Sequence, residues 1–467
     1  MSVERLIAHS SAESRIATRA GVNIAAVRFV ADATALAQRL PDSRYVLNTC
    51  HDRYAFAVAF AAALIAGRTN LLPPSRTPEL LAQLAQRYPD IAYVGDEGGV
   101  IWCANSATPR VEQPLDAIAG AEVSWPPPAI AREHVAAIAF TSGSTGEPQA
   151  QTKTWGGIVD GARAEAAALQ LTDGRIEDVV LLGTVSPQHM YGLESTVMMA
   201  LHGPCALAAE HPLHAGEVIA ALSRIEGRRV LITTPVHLRA LSESKLGMPA
   251  LDRVVSATAP LQFELAARCE SMWNTRVFEI YGCTETGMVA ARRTTDGPRW
   301  TAMRDIKIEQ RGSDFFAHGG HVQPGRLADR LRLINDTTFE LEGRADDVVN
   351  IGGKRASLEG LNRQLLSIEG VLDGAMFLPA SAADGKREQR LAAVVVAPGR
   401  TRKELLAALR TQIDAAFLPR PLLLVDSLPR NAQGKLPRAE LLALVSHRQA
   451  TAAERQPTTR SAVARTE

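Results

Sequence analysis

Residues 135–146 read VAAIAFTSGSTG. Val135–Phe140 is an unbroken apolar run of strand length. Thr141, Ser142, Gly143, Ser144, Thr145 and Gly146 follow it at once. Glycines let a backbone approach an anion closely, and successive N–H groups with hydroxyl side chains cradle phosphate. No Gly-Lys-Ser/Thr closes the segment, so it is not a Walker A loop. A flexible Ser/Gly linker would rarely follow a buried strand directly, and phosphate binding is the better reading. Around this stretch, strand-like runs alternate with amphipathic helical patterns from the N-terminus to about Trp300. Val179–Leu182, Val230–Thr233 and Val277–Tyr281 read as strands and Leu261–Met272 as a helix. That alternation predicts layered α/β architecture with parallel strands.

The composition agrees. The chain has 467 residues, 46% hydrophobic and 22% charged, which leaves room for about three domains or subdomains. These values exclude a disordered chain and a disulfide-stapled miniprotein. A net charge of +1 gives no sign of a nucleic-acid binder. Cys50, Cys103, Cys205, Cys269 and Cys283 form no Cys-x-x-Cys pair, which argues against a zinc site and fits a reducing, cytoplasmic setting. The N-terminus lacks an apolar signal core. The longest apolar run, Tyr54–Ala66, is too short for a membrane span and reads as a buried Ala-rich helix.

After Trp300 the strand signals shorten, as in Arg330–Leu333 and Thr338–Leu341, and a boundary falls near Gly343-Arg344. The expected organisation is a large domain over residues 1–342, including a small β-barrel-like subdomain, then a small mobile α+β domain over 343–447. A disordered tail over 448–467 follows. The small domain should hold helices at Leu358–Ser367 and Lys403–Phe417 and a strand at Leu391–Val396. From Gly343 onward there are 19 Lys/Arg against 13 Asp/Glu, a balance of +6, with −5 before it.

Three further segments carry chemistry. Tyr281–Gly287 (YGCTETG) sits at the end of a strand-like run, where an open α/β sheet binds ligands. Gly343–Gly353 (GRADDVVNIGG) precedes Lys354-Arg355. Leu428–Arg438 (LPRNAQGKLPR) places a Gly-Lys between prolines. Each alone has a plain reading as a solvated turn or loop.

Together and in this order, from about Arg44 to Leu444, the four segments resemble the adenylate-forming superfamily: acyl- and aryl-CoA synthetases, adenylation domains of peptide synthetases, and luciferases. The resemblance implies roles. Thr141, Ser142, Gly143, Ser144, Thr145 and Gly146 would hold the pyrophosphate end of ATP. Tyr281 would lie near the adenine, Thr284 at the α-phosphate, and Glu285 on Mg²⁺, a hard ion that prefers oxygen. Asp329 and Arg344 would contact the ribose. Asp346 would be the hinge, and Lys435 the mobile lysine that reaches the carboxylate and α-phosphate.

The sequence departs from that pattern in places. The family loop continues Pro-Lys-Gly, whereas here it is Pro148-Gln149-Ala150. Lys153 either replaces the missing charge or is solvated. The usual Thr-Gly-Asp is Leu327-Ala328-Asp329. The chain is short for a stand-alone synthetase, which points to a divergent subfamily with its own partner.

Pro187–Ser195 (PQHMYGLES) resembles the segment that lines the acyl pocket, which implicates His189, Tyr191 and Gly192. Thr258, Ala259, Pro260 and Gly282 would line the same pocket. No Asp occurs between Thr184 and Ala208 to hold a substrate ammonium, so an α-amino acid is disfavoured. The His-x-Tyr-x-Leu pattern is similar to 4-coumarate-type ligases. Tyr191 either hydrogen-bonds a distal hydroxyl of an aromatic acid or packs as a half-buried aromatic. Val46–Pro74 resembles short ligases found with aryl-polyene and xanthomonadin-type pigment genes. That resemblance implies a hydroxybenzoate- or coumarate-like acid loaded onto the phosphopantetheine of an acyl carrier protein. The basic C-terminal balance suits an acidic carrier, but it would also attract CoA. The alternatives are a fatty-acyl-CoA synthetase, a non-catalytic adenylate-binding scaffold on the same fold and, remotely, a luciferase-like oxygenase.

Overall fold

A computed structural model describes residues 2–73, 78–97, 100–104, 111–114, 125–142, 148–171, 178–344, 348–351, 354–379, 390–430, 436–437 and 439–445. The chain divides into two compact units. One comprises residues up to Leu327 together with Leu331–Leu341. The other comprises Ala328–Arg330 and the residues from Glu342 on. The tail expected to be disordered lies outside the described residues.

In the first unit the alternation of strands and helices builds two large sheets. In one, Val135–Ser142, Thr69–Leu72, Tyr45–Asn48 and Ile91–Glu97 run parallel in that order, with antiparallel strands at both edges. In the other, Arg276–Cys283, Arg253–Ser256, Arg228–Thr233, Val179–Gly183, Cys205–Ala208 and Arg15–Arg19 form a parallel centre. Between the sheets lie the helices Arg53–Ile65 and Trp155–Ala168 and the helical run from Met190 to His202. Their buried side chains share one core with Val46, Ala92 and Ala137 from one sheet and Ile16 and Leu207 from the other. A helix apolar all round can only be stable when covered on every side. Arg53–Ile65 is covered in that way, with Tyr54 to Leu64 all buried. Asp52 caps it by accepting the Ala55 N–H at 2.9 Å. Among the described residues no helix is long and apolar enough to cross a membrane. None of the five cysteines is in a disulfide, and four are buried. The β-rich part after Trp300 includes a three-stranded antiparallel sheet of Ile306–Arg311, Asp314–Gly319 and Gly325–Leu327.

The second unit places the helices Leu358–Leu366 and Arg402–Gln412 with the strands Asp373–Phe377, Ala392–Val396 and Leu422–Leu424. The helix expected to run to Phe417 stops at Gln412. Ile413 is extended, and Asp414 turns its carboxylate onto the Ala416 N–H at 3.0 Å, capping a separate 3₁₀ turn at Ala415–Phe417. Such local side-chain bonds compete with helix continuation.

One buried imidazole in the first unit makes stability depend on pH. His202 lies edge-on to Trp155 at 5.1 Å and shares a hydrogen with the Leu6 carbonyl through Nε2 at 3.1 Å. Its Nδ1 is buried with no partner. A proton there would be an unsatisfied charge in the interior, and burial pushes the pKa down to about 3. His211 is pushed down to about 4 by burial and by Arg53. Because the folded-state values are depressed, the unfolded chain binds the extra protons first. This stability is present above the ordinary histidine pKa and is lost as pH falls from about 6.5 toward 4. The buried Glu165 and Glu194 carboxyls, pushed up to about 8 and about 7, act in the opposite sense, so the contribution is read as a difference in melting temperature: His202→Gln should lose less stability than the wild type as pH falls over that window. An unchanged slope in the variant would exclude His202 as a source.

Candidate active site

Four neighbouring parallel strands end side by side, and three of them deliver a segment singled out by the sequence. Val179–Gly183 leads to Thr184–Gly192, Arg228–Thr233 to Thr234, Arg253–Ser256 to Ala257–Pro260, and Arg276–Cys283 to Thr284-Glu285. The carboxyl ends of parallel strands in an open α/β sheet are where ligands bind.

His189 is half-buried and precedes the helical turn Met190–Gly192. The turn continues as a π-helical segment, Leu193–Met198, a form frequent at functional sites. The Tyr191 hydroxyl donates toward the Thr233 carbonyl at 3.2 Å and the Val255 carbonyl at 3.0 Å. Its single proton is therefore committed to two adjacent strand ends, and the ring packs in the core. This favours the packing role over donation to a distal hydroxyl. Arg53, which sequence reasoning passed over as part of an apolar helix, is fully buried. Its guanidinium donates to the Gly183 carbonyl at 2.8 Å, the Val185 carbonyl at 3.0 Å and the Thr196 hydroxyl at 3.0 Å. Burial lowers its pKa to about 10. It ties both ends of the His189–Tyr191 loop to one point. Thr184 joins the same cluster, its hydroxyl 2.7 Å from His237 Nδ1 and 2.8 Å from the Thr233 hydroxyl.

Thr258 is exposed and has φ +76°. A β-branched residue in that region is strained and persists only where its surroundings impose it. Here the loop Ala257–Pro260 is closed by the Leu261 N–H, which donates to the Glu279 carboxylate at 2.9 Å. Glu279 is held in turn by Arg292 at 2.8 Å and Thr294 at 2.9 Å. The Arg292 guanidinium lies 4.5 Å over the Trp300 ring. Trp300 and Phe339 each stand 5.7 Å from the half-buried ring of Tyr281. One network thus braces the Thr258–Pro260 loop and Tyr281 together. Gly282 sits at a bulge in its strand, where an added Cβ would come within 2.4 Å of the Gly287 carbonyl.

Thr284 is half-buried and Glu285 exposed. Among the described residues no cluster of three or more His, Cys, Asp or Glu side chains is assembled for a metal. Thr141 and Ser142 end the strand Val135–Ser142, which pairs with Pro148–Thr154. From that second strand Lys153 points inward, 5% exposed, and donates to the Glu285 carbonyl at 3.0 Å. This brings the strand after the glycine-rich segment against the Thr-Glu turn, and the solvated reading of Lys153 is overturned. Asp329 opens the strand Asp329–Leu333 and Arg344 closes Thr338–Arg344. Gly143, Ser144, Thr145, Gly146, Asp346 and Lys435 lie outside the described residues.

Comparison with known proteins adds the following. Residues 6–308 match the family described as AMP-binding enzyme. A 4-coumarate–CoA ligase of Halorhodospira halophila is 30% identical over 320 residues, 66% of this chain and 76% of that one. A probable 2-succinylbenzoate–CoA ligase of Mycobacterium tuberculosis is 27% identical over 338 residues, 66% and 84%. ATP-bound MatB from Rhodopseudomonas palustris superposes with a TM-score of 0.76 at 18% identity, covering 93% of this chain and 96% of that one. The O-succinylbenzoate coenzyme A synthetase MenE of Bacillus subtilis, in complex with AMP, gives 0.75 at 18% identity, covering 94% and 98%.

Proposed function

We propose, for a chain that belongs to the AMP-binding enzyme family, an AMP-forming acid–thiol ligase that activates a small aromatic carboxylic acid. The observation that carries the reading is the meeting of segments at the strand ends: the Thr284-Glu285 turn, the Thr258–Pro260 loop and the His189–Gly192 turn are neighbours. Through Lys153, the strand behind Thr141–Gly146 touches the first of them. Both sequence relatives named above are ligases of aryl acids.

In the first step a carboxylate oxygen attacks the α-phosphorus of ATP, the bond to the β-phosphate oxygen breaks, and pyrophosphate leaves. Two anions must meet, so cationic charge is needed at the α-phosphate. Lys435 supplies it, with Thr284 as a hydroxyl donor. A single exposed carboxylate such as Glu285 fits Mg²⁺, which is commonly held by one or two carboxylates and the substrate phosphates. The ion would screen the departing pyrophosphate. Thr141–Gly146 hold the triphosphate, Tyr281 the adenine, and Asp329 and Arg344 the ribose. In the second step a thiol sulfur attacks the acyl carbon, the acyl–oxygen bond breaks, and AMP departs while the thiol proton passes to solvent. Asp346 is the hinge that exchanges Lys435 for the thiol.

The similarity to a 4-coumarate–CoA ligase and a probable 2-succinylbenzoate–CoA ligase supports a hydroxybenzoate- or coumarate-like acid over a fatty acid. The test is acid-dependent exchange of labelled pyrophosphate into ATP over a panel of aryl and fatty acids. Exchange with aryl acids is expected. No exchange with any acid would leave the scaffold reading, and preference for long fatty acids would overturn the pocket assignment.

The acceptor we infer is the phosphopantetheine of an acyl carrier protein, in line with the +6 balance after Gly343. Arg430 is not a free docking charge. Its guanidinium is bidentate to Asp373 at 2.7 and 2.6 Å. Arg420 is exposed. Arg420→Glu should slow carrier loading and spare pyrophosphate exchange, and loading should fall as salt rises, since exposed charges are screened beyond about 8 Å at physiological ionic strength. A much higher kcat/KM with free CoA than with any carrier would reject this acceptor.

A further inference from the structure

Lys153 and Glu194 face one small cavity between the helix Trp155–Ala168, the π-helical segment and the Thr286-Gly287 backbone. Thr286, His321 and Gln323 also line it. Its volume of about 30 Å³ holds one or two waters and no substrate. The two charged side chains are buried, at 5% and 4% exposed. They form no ion pair within 4 Å among the described residues, and the cavity between them has room for water. Such a pair is costly to bury, and well-packed apolar groups of the same size would often be as stable. Its retention calls for a positional role.

The register decides what that role is. Ser142 pairs with Pro148 at the glycine-rich end of the hairpin, while Lys153 pairs with Ala137 near the other end. Five residues of strand separate Lys153 from Pro148, roughly 17 Å at about 3.3 Å per residue. Its ammonium turns to the Glu285 carbonyl instead. We propose that Lys153, balanced by Glu194 across this cavity, is a positioning residue that sets the Thr284-Glu285 turn for MgATP, and is not itself a phosphate ligand. The inference rests on the ligase reading for the identity of the nucleotide. Burial pushes the Glu194 carboxyl up to about 7, and the Lys153 charge opposes that shift. Burial alone lowers the lysine pKa, and Glu194 opposes it most among the neighbouring charges.

The test measures nucleotide binding by calorimetry, apart from turnover. In Lys153→Met the dissociation constant for MgATP should rise about tenfold while that for Mg²⁺-free ATP stays within about twofold. Lys153→Arg, which keeps a donor for the carbonyl, should recover most of the loss, and Glu194→Gln should shift MgATP binding in the same direction as Lys153→Met. The Mg²⁺ concentration for half-maximal exchange should rise in parallel. Equal weakening with and without Mg²⁺ would make Lys153 a phosphate ligand and overturn the proposal. A lowered melting temperature with unchanged MgATP binding would make the pair merely structural and overturn it as well. Absence of exchange in the wild type, with the binding pattern as expected, would refute the ligase reading and leave the positioning role standing.

Discussion

Lys435→Ala is expected to slow formation of the acyl-adenylate by roughly a hundred- to a thousandfold, the usual cost of removing one donor that stabilises developing charge. Transfer from a supplied acyl-adenylate to the thiol should stay within a few-fold of normal. The asymmetry follows from the proposed chemistry. In the first step a carboxylate enters the field of a triphosphate, and the lysine offsets that repulsion. In the second step a neutral mixed-anhydride carbonyl meets a thiol, and the lysine has left. Arg430, five residues before Lys435 in the sequence, is clamped on Asp373 in the strand Asp373–Phe377. Single-turnover measurements of each half-reaction, the second begun from synthetic acyl-adenylate, separate the two. Equal loss in both would remove the exchange of conformations from the mechanism.

Three of the four strands that carry the site were legible from the largely apolar runs Val179–Leu182, Val230–Thr233 and Val277–Tyr281, whereas Arg253–Ser256, with two valines between an arginine and a serine, was not read from the sequence. Val179–Gly183 and Arg253–Ser256 are buried at every position, as central parallel strands require. The segments at their ends were legible because glycine, hydroxyl and carboxylate residues there have few structural uses. What the sequence could not show is how polar atoms find partners across the fold. Arg53 sits in an apolar helix, and nothing local says that its guanidinium serves two carbonyls 130 and 132 residues away. Tyr191 was readable as an aromatic of the pocket, but the carbonyls that take its proton belong to two other strands. Glu279 and Arg292 alternate in and out of strands like any paired charges until the pairing of Arg276–Cys283 with Gly287–Arg293 sets them opposite one another. Lys153 was divided between solvent and phosphate by its position in the sequence, and the fold buries it with its ammonium on the Glu285 carbonyl.

The loop these groups brace leaves no room for an extra atom at Gly192, and Gly192→Ala should therefore be among the most damaging single changes in the pocket. The residue has φ −66° and ψ −41°, ordinary helical values that alanine adopts without strain, so any effect must come from space. A Cβ built there would lie 1.9 Å from the Ser186 carbonyl oxygen and 2.6 Å from its carbon. Those are backbone atoms, and no rotamer change can relieve the overlap. Residues 186–187 would have to retreat by more than an ångström. The retreat is opposed by Arg53 on Gly183 and Val185 and by the Gln188 amide, which donates to the Asn48 carbonyl at 3.3 Å. Overpacking of this kind costs about 1–3 kcal/mol. A displacement of about 1 Å beside a reacting group can cost on the order of a hundredfold in rate. His189 and Tyr191 would move with the loop, so the KM for the acid should rise and kcat fall. Gly216→Ala serves as the control. That site, in the helix Ala215–Arg224, has nothing within 4 Å of an added Cβ, and the change should raise stability by about 0.4–1 kcal/mol. If Gly192→Ala retained wild-type KM for the acid and wild-type stability, the close approach of Ser186 would be wrong, and with it the placement of His189 in the pocket.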